Sequence, residues 1–210
     1  MNFETENIEF KSGFTEEIYK EVIAFANTDG GVLYIGIDND GNAVGLNNVD
    51  DEYTRITNGI RDAILPDVTM FVKYTIQENK VVRITISEGT NKPYYLRSKG
   101  LKSNGVYVRQ GTSSVQASSE QIRQMITCQK EKYNWKFLFL GANIDAISTA
   151  KDFGISEEFA SNYVSDEEGT KLTYEVMNET ISSCRECGDI DINWKNKVEK
   201  DYEKRKINKI

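Results

Sequence analysis

Histidine is absent from the 210-residue chain. Its absence excludes the usual general base, the Ser-His and Cys-His nucleophile pairs, and every metal site built on imidazole. Any catalysis must therefore depend on carboxylates, lysine, tyrosine or hydroxyl groups. A Walker phosphate-binding motif is also lacking, so the sequence offers no ATP site of that kind.

Cysteine is scarce and long apolar runs are missing. The chain has three cysteines, Cys128, Cys184 and Cys187. Their odd number and irregular spacing do not fit a disulfide framework, which predicts free thiols in a reducing compartment. Cys184 and Cys187 are spaced as CxxC, but no second pair is present to complete a zinc site. No apolar run approaches the roughly 20 residues that span a bilayer, and the acidic N-terminus differs from a signal peptide. We expect a cytoplasmic protein with no membrane partner.

Positive charge is in the minority, since 26 basic residues face 33 acidic ones and the net charge is -7. Phosphate affinity comes mainly from lysine and arginine, so this balance alone argues against nucleic-acid binding. The charge is unevenly distributed, however. Residues 1–67 contain 4 basic and 14 acidic side chains, whereas residues 83–109 contain 6 basic side chains and 1 acidic one. One segment is therefore electropositive within an acidic chain.

Periodicity predicts an α+β unit in the first 130 residues. The expected elements are a strand at 7–11, a helix at 15–27 capped by Thr15, a strand at 32–37, a helix at 49–65, strands at 69–77, 80–87, 94–96 and 105–109, and a helix at 118–130. The glycine-rich stretch 24–31 is not a phosphate-binding loop, because it lacks the GxxxxGK[ST] pattern and because it follows a helix and precedes a strand. We interpret it as a helix C-cap and a tight turn.

Four motifs in this order resemble the AlbA_2 domain of Schlafen-like proteins. They are ETENIEFK at 4–11, AFANTDGGVLYIGIDNDGNAVGL at 24–46, KPYY at 92–95, and GVYVRQGTSSVQAS at 105–118. The resemblance covers about residues 3–126 and extends to many bacterial proteins described as DNA-binding proteins or transcriptional regulators. It implies an α+β fold with a mixed or antiparallel sheet and packed helices, together with nucleic-acid binding.

Some relatives of this kind are RNA endonucleases that use a carboxylate cluster. Carried over by motif, the resemblance assigns the cluster to Glu4, Glu9 and Asp38 as candidate catalytic and metal-binding residues. Such carboxylates suit Mg²⁺ or Mn²⁺, which would stabilise the negative charge that builds during phosphodiester cleavage. Acidic residues near a chain start are commonly only solvated, and Asp38 also suits the hairpin turn of Asp-Asn-Asp-Gly. A cofactor is therefore expected only if the protein is a metal-dependent nuclease.

The electropositive segment carries the binding hypothesis. The candidate nucleic-acid-binding residues are Lys11, Arg97, Lys99, Lys102 and Arg109. Several phosphates could be neutralised by them, while Tyr94, Tyr95 or Tyr107 could stack on bases if exposed. Charged loops are more often merely solvated surfaces. The family resemblance shifts the balance towards DNA or RNA as the partner.

The tail from residue 131 is expected to be a βαα extension of the AlbA_2-like domain at 1–130. It contains one strongly apolar strand near 137–141, followed by predicted helices at 145–153 and 166–187. The stretches WKFLFLGANIDAISTAKDFGI at 135–155 and ASNYVSDEEGTKLTYEVMNETISS at 160–183 resemble the C-terminal end of von Willebrand factor A-like proteins, although the metal-binding DxSxS segment of that family is missing. A lone apolar strand needs cover on its faces and edges, so we expect the tail to dock on the first domain or on the tail of a second copy, with a homodimer as the favoured outcome.

These observations favour a nucleic-acid-binding protein, in its finer form a DNA-binding transcriptional regulator. Two alternatives remain open at this point. The first is a divalent-metal-dependent endoribonuclease, and the second is a protein-interaction or assembly module. Salt-dependent binding without cleavage would favour the nucleic-acid-binding protein. Metal-dependent cleavage would favour the nuclease, and self-association without binding would favour the assembly module.

Overall fold

The computed structural model describes residues 3–142 and 145–207. The chain divides into two compact units, Met1–Met125 and Ile126–Ile210. The division falls within α3 (Ser119–Tyr133). We describe each unit separately, as unit 1 and unit 2. No helix of the described residues is both long and apolar enough to cross a membrane.

Unit 1 combines helices with short strands in the mixed order expected of an α+β domain. Its elements before α3 are β1 (Ile8–Lys11), α1 (Ile18–Asn27), β2 (Gly31–Ile35), α2 (Val49–Ala63), β3 (Ile64–Leu65), β4 (Val72–Ile76), β5 (Val82–Ile86), β6 (Tyr95–Leu96), β7 (Tyr107–Gln110) and β8 (Ser113–Gln116). The main sheet has the order β1-β2-β5-β4. β1 runs parallel to β2, and the other pairs of this sheet are antiparallel, so of the predicted mixed or antiparallel sheet the mixed form is found.

The core of unit 1 lies between α1 and this sheet. Val22, Ile23 and Phe25 of α1 are fully buried, and they belong to the same apolar cluster as Leu33 of β2 and Ile84 of β5. Burying each such side chain stabilises the fold by about 1.5–3 kcal/mol. Apolar packing therefore fixes the position of α1 in the domain. It also fixes the partly exposed side chains of α1 relative to β1 and to the hairpin of β7 and β8.

Several predicted boundaries were wrong, each for a local reason. α1 begins at Ile18 and not after a Thr15 cap, because residues 15–17 form a turn in which the Ile18 amide donates to the Thr15 carbonyl at 3.2 Å. β2 ends before Gly36, whose φ of +104° is open to glycine. α2 ends at Ala63, since Leu65 precedes Pro66 and is pushed towards extended backbone.

β8 was not predicted. It pairs antiparallel with β7 through Arg109 opposite Ser114, across a turn in which Gly111 has a φ of +58°. Strand 113–116 carries two serines and a glutamine, so its weak apolar alternation concealed it from a periodicity analysis. The hairpin nevertheless places Ser114 beside the functional residues described below.

Unit 2 contains more secondary structure than the predicted βαα extension. Its elements after α3 are β9 (Phe139–Ala142), α4 (Ala146–Asp152), β10 (Ala160–Tyr163), α5 (Glu167–Cys187) and α6 (Asn196–Ile207). β10 pairs parallel with β9, so the apolar strand already has one neighbour within the same unit. Val176, Trp194 and Val198 form the centre of its apolar cluster. The prediction missed β10 because Ser161 and Asn162 interrupt its apolar pattern.

Candidate nucleic-acid interface

A buried ionic cluster joins three elements of unit 1 around Arg109 of β7. The Arg109 side chain is only 5 % exposed. Its Nη1 donates to Glu9 Oε2 of β1 at 2.9 Å and to Glu21 Oε2 of α1 at 3.3 Å. Ser114 of β8 accepts from the same nitrogen at 3.1 Å and donates its hydroxyl proton to Glu21. The sequence motifs around residues 9 and 109 thus meet in space.

Arg109 also holds the segment that precedes β1. Its Nε donates to the Glu6 carbonyl at 3.1 Å, and its Nη2 donates to the Thr5 carbonyl at 3.0 Å. The guanidinium carbon lies 4.7 Å from the centre of the Phe25 ring, a cation–π geometry. All three guanidinium nitrogens are therefore engaged within the protein. This position gives Arg109 a structural role in the described structure.

Burial sets the electrostatics of the cluster. Burial raises the pKa of Glu21, and the Ser114 hydrogen bond opposes that rise. For Lys11, burial lowers the pKa, but the hydrogen bond and charge of Glu9 outweigh it and leave the pKa raised. Lys11 forms ion pairs with Glu9 and, at 3.8 Å, with Glu21. Lys11 is therefore part of the cluster, with two carboxylates balanced by two cations.

The predicted basic residues 97, 99 and 102 lie on a compact loop. The Arg97 amide donates to the Ala63 carbonyl at 2.8 Å, which fastens the loop to the end of α2. Further backbone hydrogen bonds close it on itself, among them Lys102 to Gly100 at 2.9 Å and Gly105 to Lys102 at 2.8 Å. We call residues 96–105 the basic loop. Its fixed backbone limits the entropy lost when its side chains bind a ligand.

The three cations of the basic loop are exposed to solvent. Within the described part of the chain, Arg97, Lys99 and Lys102 form no ion pair. The pKa of Asp62 is lowered mainly by its hydrogen bond with Arg61, and the charge of Arg97 adds a smaller effect. The proposed stacking residues differ in exposure, and Tyr95 is partly exposed. Tyr94 is 0 % exposed and Tyr107 is 7 % exposed, so both are core residues and are unavailable for stacking on bases.

The three candidate catalytic carboxylates occupy different environments. Glu4 accepts from the Phe10 amide at 3.0 Å, and Glu9 is ion-paired as described. Leu33 lies opposite Glu9 in the sheet, and Asp38 follows five residues later in the chain. Asp38 accepts from the Asn42 amide at 2.8 Å and from the Asp40 amide at 3.0 Å, and these hydrogen bonds lower its pKa.

These carboxylates do not fit the metal-binding role that the resemblance implied. Among residues 3–142 and 145–207, no group of three or more acidic or cysteine side chains is arranged to hold a metal ion. Asp38 instead closes the turn after β2, and Glu9 neutralises buried cations. We derive no catalytic step through Mg²⁺ or Mn²⁺ from Glu4, Glu9 and Asp38.

Asn27 is a determinant of the site that sequence reasoning did not identify. Its side chain is buried and donates to the carbonyls of Tyr94 and Tyr107, both at 2.9 Å. Its oxygen accepts from the Tyr94 amide at 2.8 Å. The end of α1 is thereby fastened to both strands that flank the basic loop. The available signal was an asparagine inside the family-specific glycine-rich motif.

The CxxC pair lies in the last turn of α5. Cys187 is exposed and Cys184 is partly exposed, and both are free thiols. This agrees with the expectation of unpaired cysteines. Their location at a helix C-terminus differs from the helix N-terminus at which thioredoxin-type CxxC pairs lie.

The fold and motifs of unit 1 define an α+β domain of the AlbA_2 type. Residues 4–118 match the family model described as Schlafen, AlbA_2, which spans more than half of the chain. The chain therefore belongs to the Schlafen AlbA_2 family, and this membership associates it with a nucleic-acid-related role. No curated protein matches the chain.

Two solved structures show limited similarity to the chain. The DIP2311 protein from Corynebacterium diphtheriae is 19 % identical with a TM-score of 0.41, and the alignment covers 60 % of this chain and 24 % of that one. The N-terminal domain of a RecG-related protein from Nitrosomonas europaea is 24 % identical with a TM-score of 0.35. That alignment covers 53 % of this chain and 82 % of that domain. The chain thus spans about a quarter of the DIP2311 protein.

Proposed function

We propose that unit 1 binds DNA or RNA through the basic loop. The observation that carries the proposal is the exposure of Arg97, Lys99 and Lys102 on one backbone-bonded loop, without ion pairs in the described residues. When such cations bind a phosphate backbone, they release its counterions, and no ion pair within the protein has to be broken first. Membership in the Schlafen AlbA_2 family supports the same partner.

In this proposal, the ionic cluster and Asn27 hold the elements around the basic loop in place. Arg109 fixes the hairpin against β1 and α1, and Asn27 fixes α1 against the strands around the basic loop. Lys11 and Arg109 are in this proposal positioning residues, because their charges are already neutralised by Glu9 and Glu21. Arg97, Lys99 and Lys102 provide the contacts with phosphates.

The finer form of the proposal is a cytoplasmic, DNA-binding transcriptional regulator. A regulator must prefer one nucleic-acid form over others, so its affinities for duplex DNA, single-stranded DNA and RNA should differ at equal salt. Fluorescence anisotropy with labelled oligonucleotides of each form measures this preference. Equal affinity for all three would argue against a regulator while leaving nucleic-acid binding intact.

The double variant Lys99→Gln and Lys102→Gln tests the proposed interface. It removes two phosphate contacts, so the slope of log K against log salt should flatten by about 1.5. Affinity at low salt should fall at least about tenfold, because contacts with phosphates supply most of the binding free energy. Anisotropy titrations of the full chain at several salt concentrations measure both quantities.

A matched control has the same change in net charge at two other exposed lysines, Lys73→Gln and Lys171→Gln. This control should keep the slope of the unmodified protein, apart from a small effect of net charge. If the control and the loop variant lose equal affinity, the basic loop is not the interface. Absence of any binding by the unmodified chain would refute the proposed function.

A further inference from the structure

A groove in unit 1 borders the basic loop. It encloses about 590 Å³ and lies between the start of α1, the end of α2 and the basic loop. Tyr19, Ala63 and Leu96 provide its apolar surface. The volume falls within the range of small-molecule binding sites. Residues from three separate parts of the sequence build this groove, so no single motif reveals it.

Charges of opposite sign line the two sides of the groove. Arg97 and Lys99 belong to the basic loop, while Glu16, Glu17 and Asp62 come from the two helix ends, where Lys20 also lines the groove. Glu17 is paired with Lys20 at 2.9 Å, and Asp62 is paired with Arg61 at 2.9 Å.

Glu16 differs from the other two carboxylates of the groove. Its exposed side chain forms no ion pair or hydrogen bond with any residue that the structure describes. Its charge reaches the groove nonetheless. The pKa of Tyr19 is raised by burial and, next in size, by the charge of Glu16. The groove therefore offers one unpaired acceptor opposite two unpaired cations.

We propose that this groove binds one unpaired nucleotide of the nucleic acid and selects guanine through Glu16. A ligand that fits must present an anion to Arg97 and Lys99, an apolar ring to Tyr19 and Leu96, and N–H donors to Glu16. A nucleotide has all three properties. A bare anion has only the first, and it would be repelled by the carboxylates.

Guanine is the base whose edge best suits a carboxylate. Its N1–H and its 2-amino group point in the same direction and can donate to both oxygens of one carboxylate, in the paired geometry that gives strong, specific hydrogen bonds. Thymine and uracil present a single N3–H donor between two carbonyl acceptors, so a carboxylate gains at most one hydrogen bond and is repelled by the flanking oxygens. The edge is accessible only when the base is unpaired, which restricts recognition to single strands, bulges or loops.

This inference rests on the proposed function and is tested with the full chain. The probes are fluorescein-labelled short oligothymidylates that carry, at the central position, thymine, guanine or hypoxanthine. We expect the guanine probe to bind about tenfold more tightly than the thymine probe, as one bidentate base contact provides. The hypoxanthine probe, which lacks the 2-amino group, should fall between them.

The variant Glu16→Gln identifies the selecting residue. It removes the paired acceptor but keeps the side-chain size, so the guanine preference should fall to about twofold or less while affinity for the thymine probe is kept or slightly raised. The matched control is Glu78→Gln, an exposed glutamate in the turn between β4 and β5. That control should retain the full preference. Equal thermal unfolding of both variants shows that they are folded.

Each result has a distinct meaning. Binding of all three probes with equal affinity would overturn the guanine site and leave the proposed function standing. A guanine preference that survives Glu16→Gln would also overturn it, because another group would then be reading the base. Failure of every probe, of duplex DNA and of single-stranded RNA to bind would instead refute the proposed function itself.

Discussion

At the scale of single residues, two buried polar side chains determine how the functional surface is held. Asn27 uses both ends of its amide on the backbone of Tyr94 and Tyr107, and Arg109 uses all three of its nitrogens. Such groups stabilise a fold only when their hydrogen bonds are complete, since a buried polar atom without a partner costs about 1–3 kcal/mol. Removal of either side chain should therefore lower the free energy of unfolding.

The substitution Asn27→Ala tests this accounting. It leaves the Tyr94 amide and two carbonyls buried without their partners, so we expect the free energy of unfolding to fall by about 3 kcal/mol. Urea denaturation measures the change, and an unaltered m-value would show that the native fold is retained. Asn58→Ala, at an exposed position of α2, is the matched control.

The control should be neutral or slightly stabilising, because alanine favours helices more than asparagine does. A loss below about 1 kcal/mol in Asn27→Ala would contradict the proposed bonds, since three buried groups would then have found other partners.

The sequence was sufficient to select candidate charged residues, but it was not sufficient to predict which residues they contact. Residues two apart in a strand lie on the same face, so the predicted strand at 7–11 already places Glu9 beside Lys11, and in the structure both belong to the ionic cluster that contains Glu21. Nothing in the sequence indicated that Arg109 would neutralise Glu9, because 100 residues separate them. Arg109 looks like its neighbours Arg97 and Lys99 in a charge count. Only the tertiary fold distinguishes a buried cation from an exposed one.

At the scale of elements, glycine positions explain why α1 and β2 meet as they do. Gly30 has a φ of +79°, and a Cβ atom there would lie 2.6 Å from the Ile86 carbonyl oxygen of β5. A Cβ at Gly31 would collide with the ring of Phe25, on whose face Arg109 rests. The local interpretation of this stretch as a helix end and a tight turn therefore described its backbone. It did not foresee these contacts.

Substitution of Gly30 tests two contributions to stability, namely the left-handed backbone conformation and the close approach to β5. Gly30→Ala should lower the free energy of unfolding by about 3 kcal/mol, because it adds a steric collision with backbone to the penalty of about 1–2 kcal/mol for left-handed conformation. Gly100→Ala is the matched control in the same unit, with a φ of +71° and open space around the added Cβ. That control should cost about 1 kcal/mol.

Urea denaturation of both variants gives the difference between them. Equal losses would mean that the close approach of Gly30 to β5 is relieved by small backbone movements, and that conformation alone requires glycine there. A larger loss in Gly30→Ala would show that packing between the α1–β2 turn and β5 also contributes.

Elements with strong apolar patterns were predictable, and short polar ones were not. α1, β2, β5 and α5 follow clear periodicities, whereas β8 and β10 contain serine and asparagine at positions that a pattern assigns to loops. Such strands form because a neighbouring strand supplies their hydrogen bonds. That information is not present in their own residues.

At the scale of the whole molecule, the chain is two compact units whose boundary lies inside one helix. The predicted division at residue 130 stays a prediction, as does the homodimer. The dimer was inferred from a lone apolar strand, and the pairing of β9 with β10 removes part of that premise. Each strand still has only one neighbour in the described sheet, and a parallel sheet of two strands is unusually small for its type.

Exposed apolar side chains on α5 supply a second reason to expect self-association of unit 2. Tyr174 is 70 % exposed and Ile181 is 41 % exposed, and the two lie seven residues apart on one face of the helix. A two-fold dimer brings the same patch of each copy together, so one apolar helix face can cover itself. We therefore expect a homodimer through α5, with nucleic-acid binding left to unit 1.

Light scattering of the full chain over micromolar concentrations tests the dimer. The double variant Tyr174→Glu and Ile181→Glu places like charges at the centre of the expected interface and should yield a monomer. The matched control is Met70→Glu, since Met70 is 88 % exposed in unit 1, and it should remain dimeric. A monomeric unmodified chain would refute the homodimer, and a dimer that survives the double variant would place the interface away from α5. Because Arg97, Lys99 and Lys102 belong to unit 1, the monomeric variant should still bind nucleic acid in a salt-dependent way through one basic loop, while losing the avidity of two linked sites.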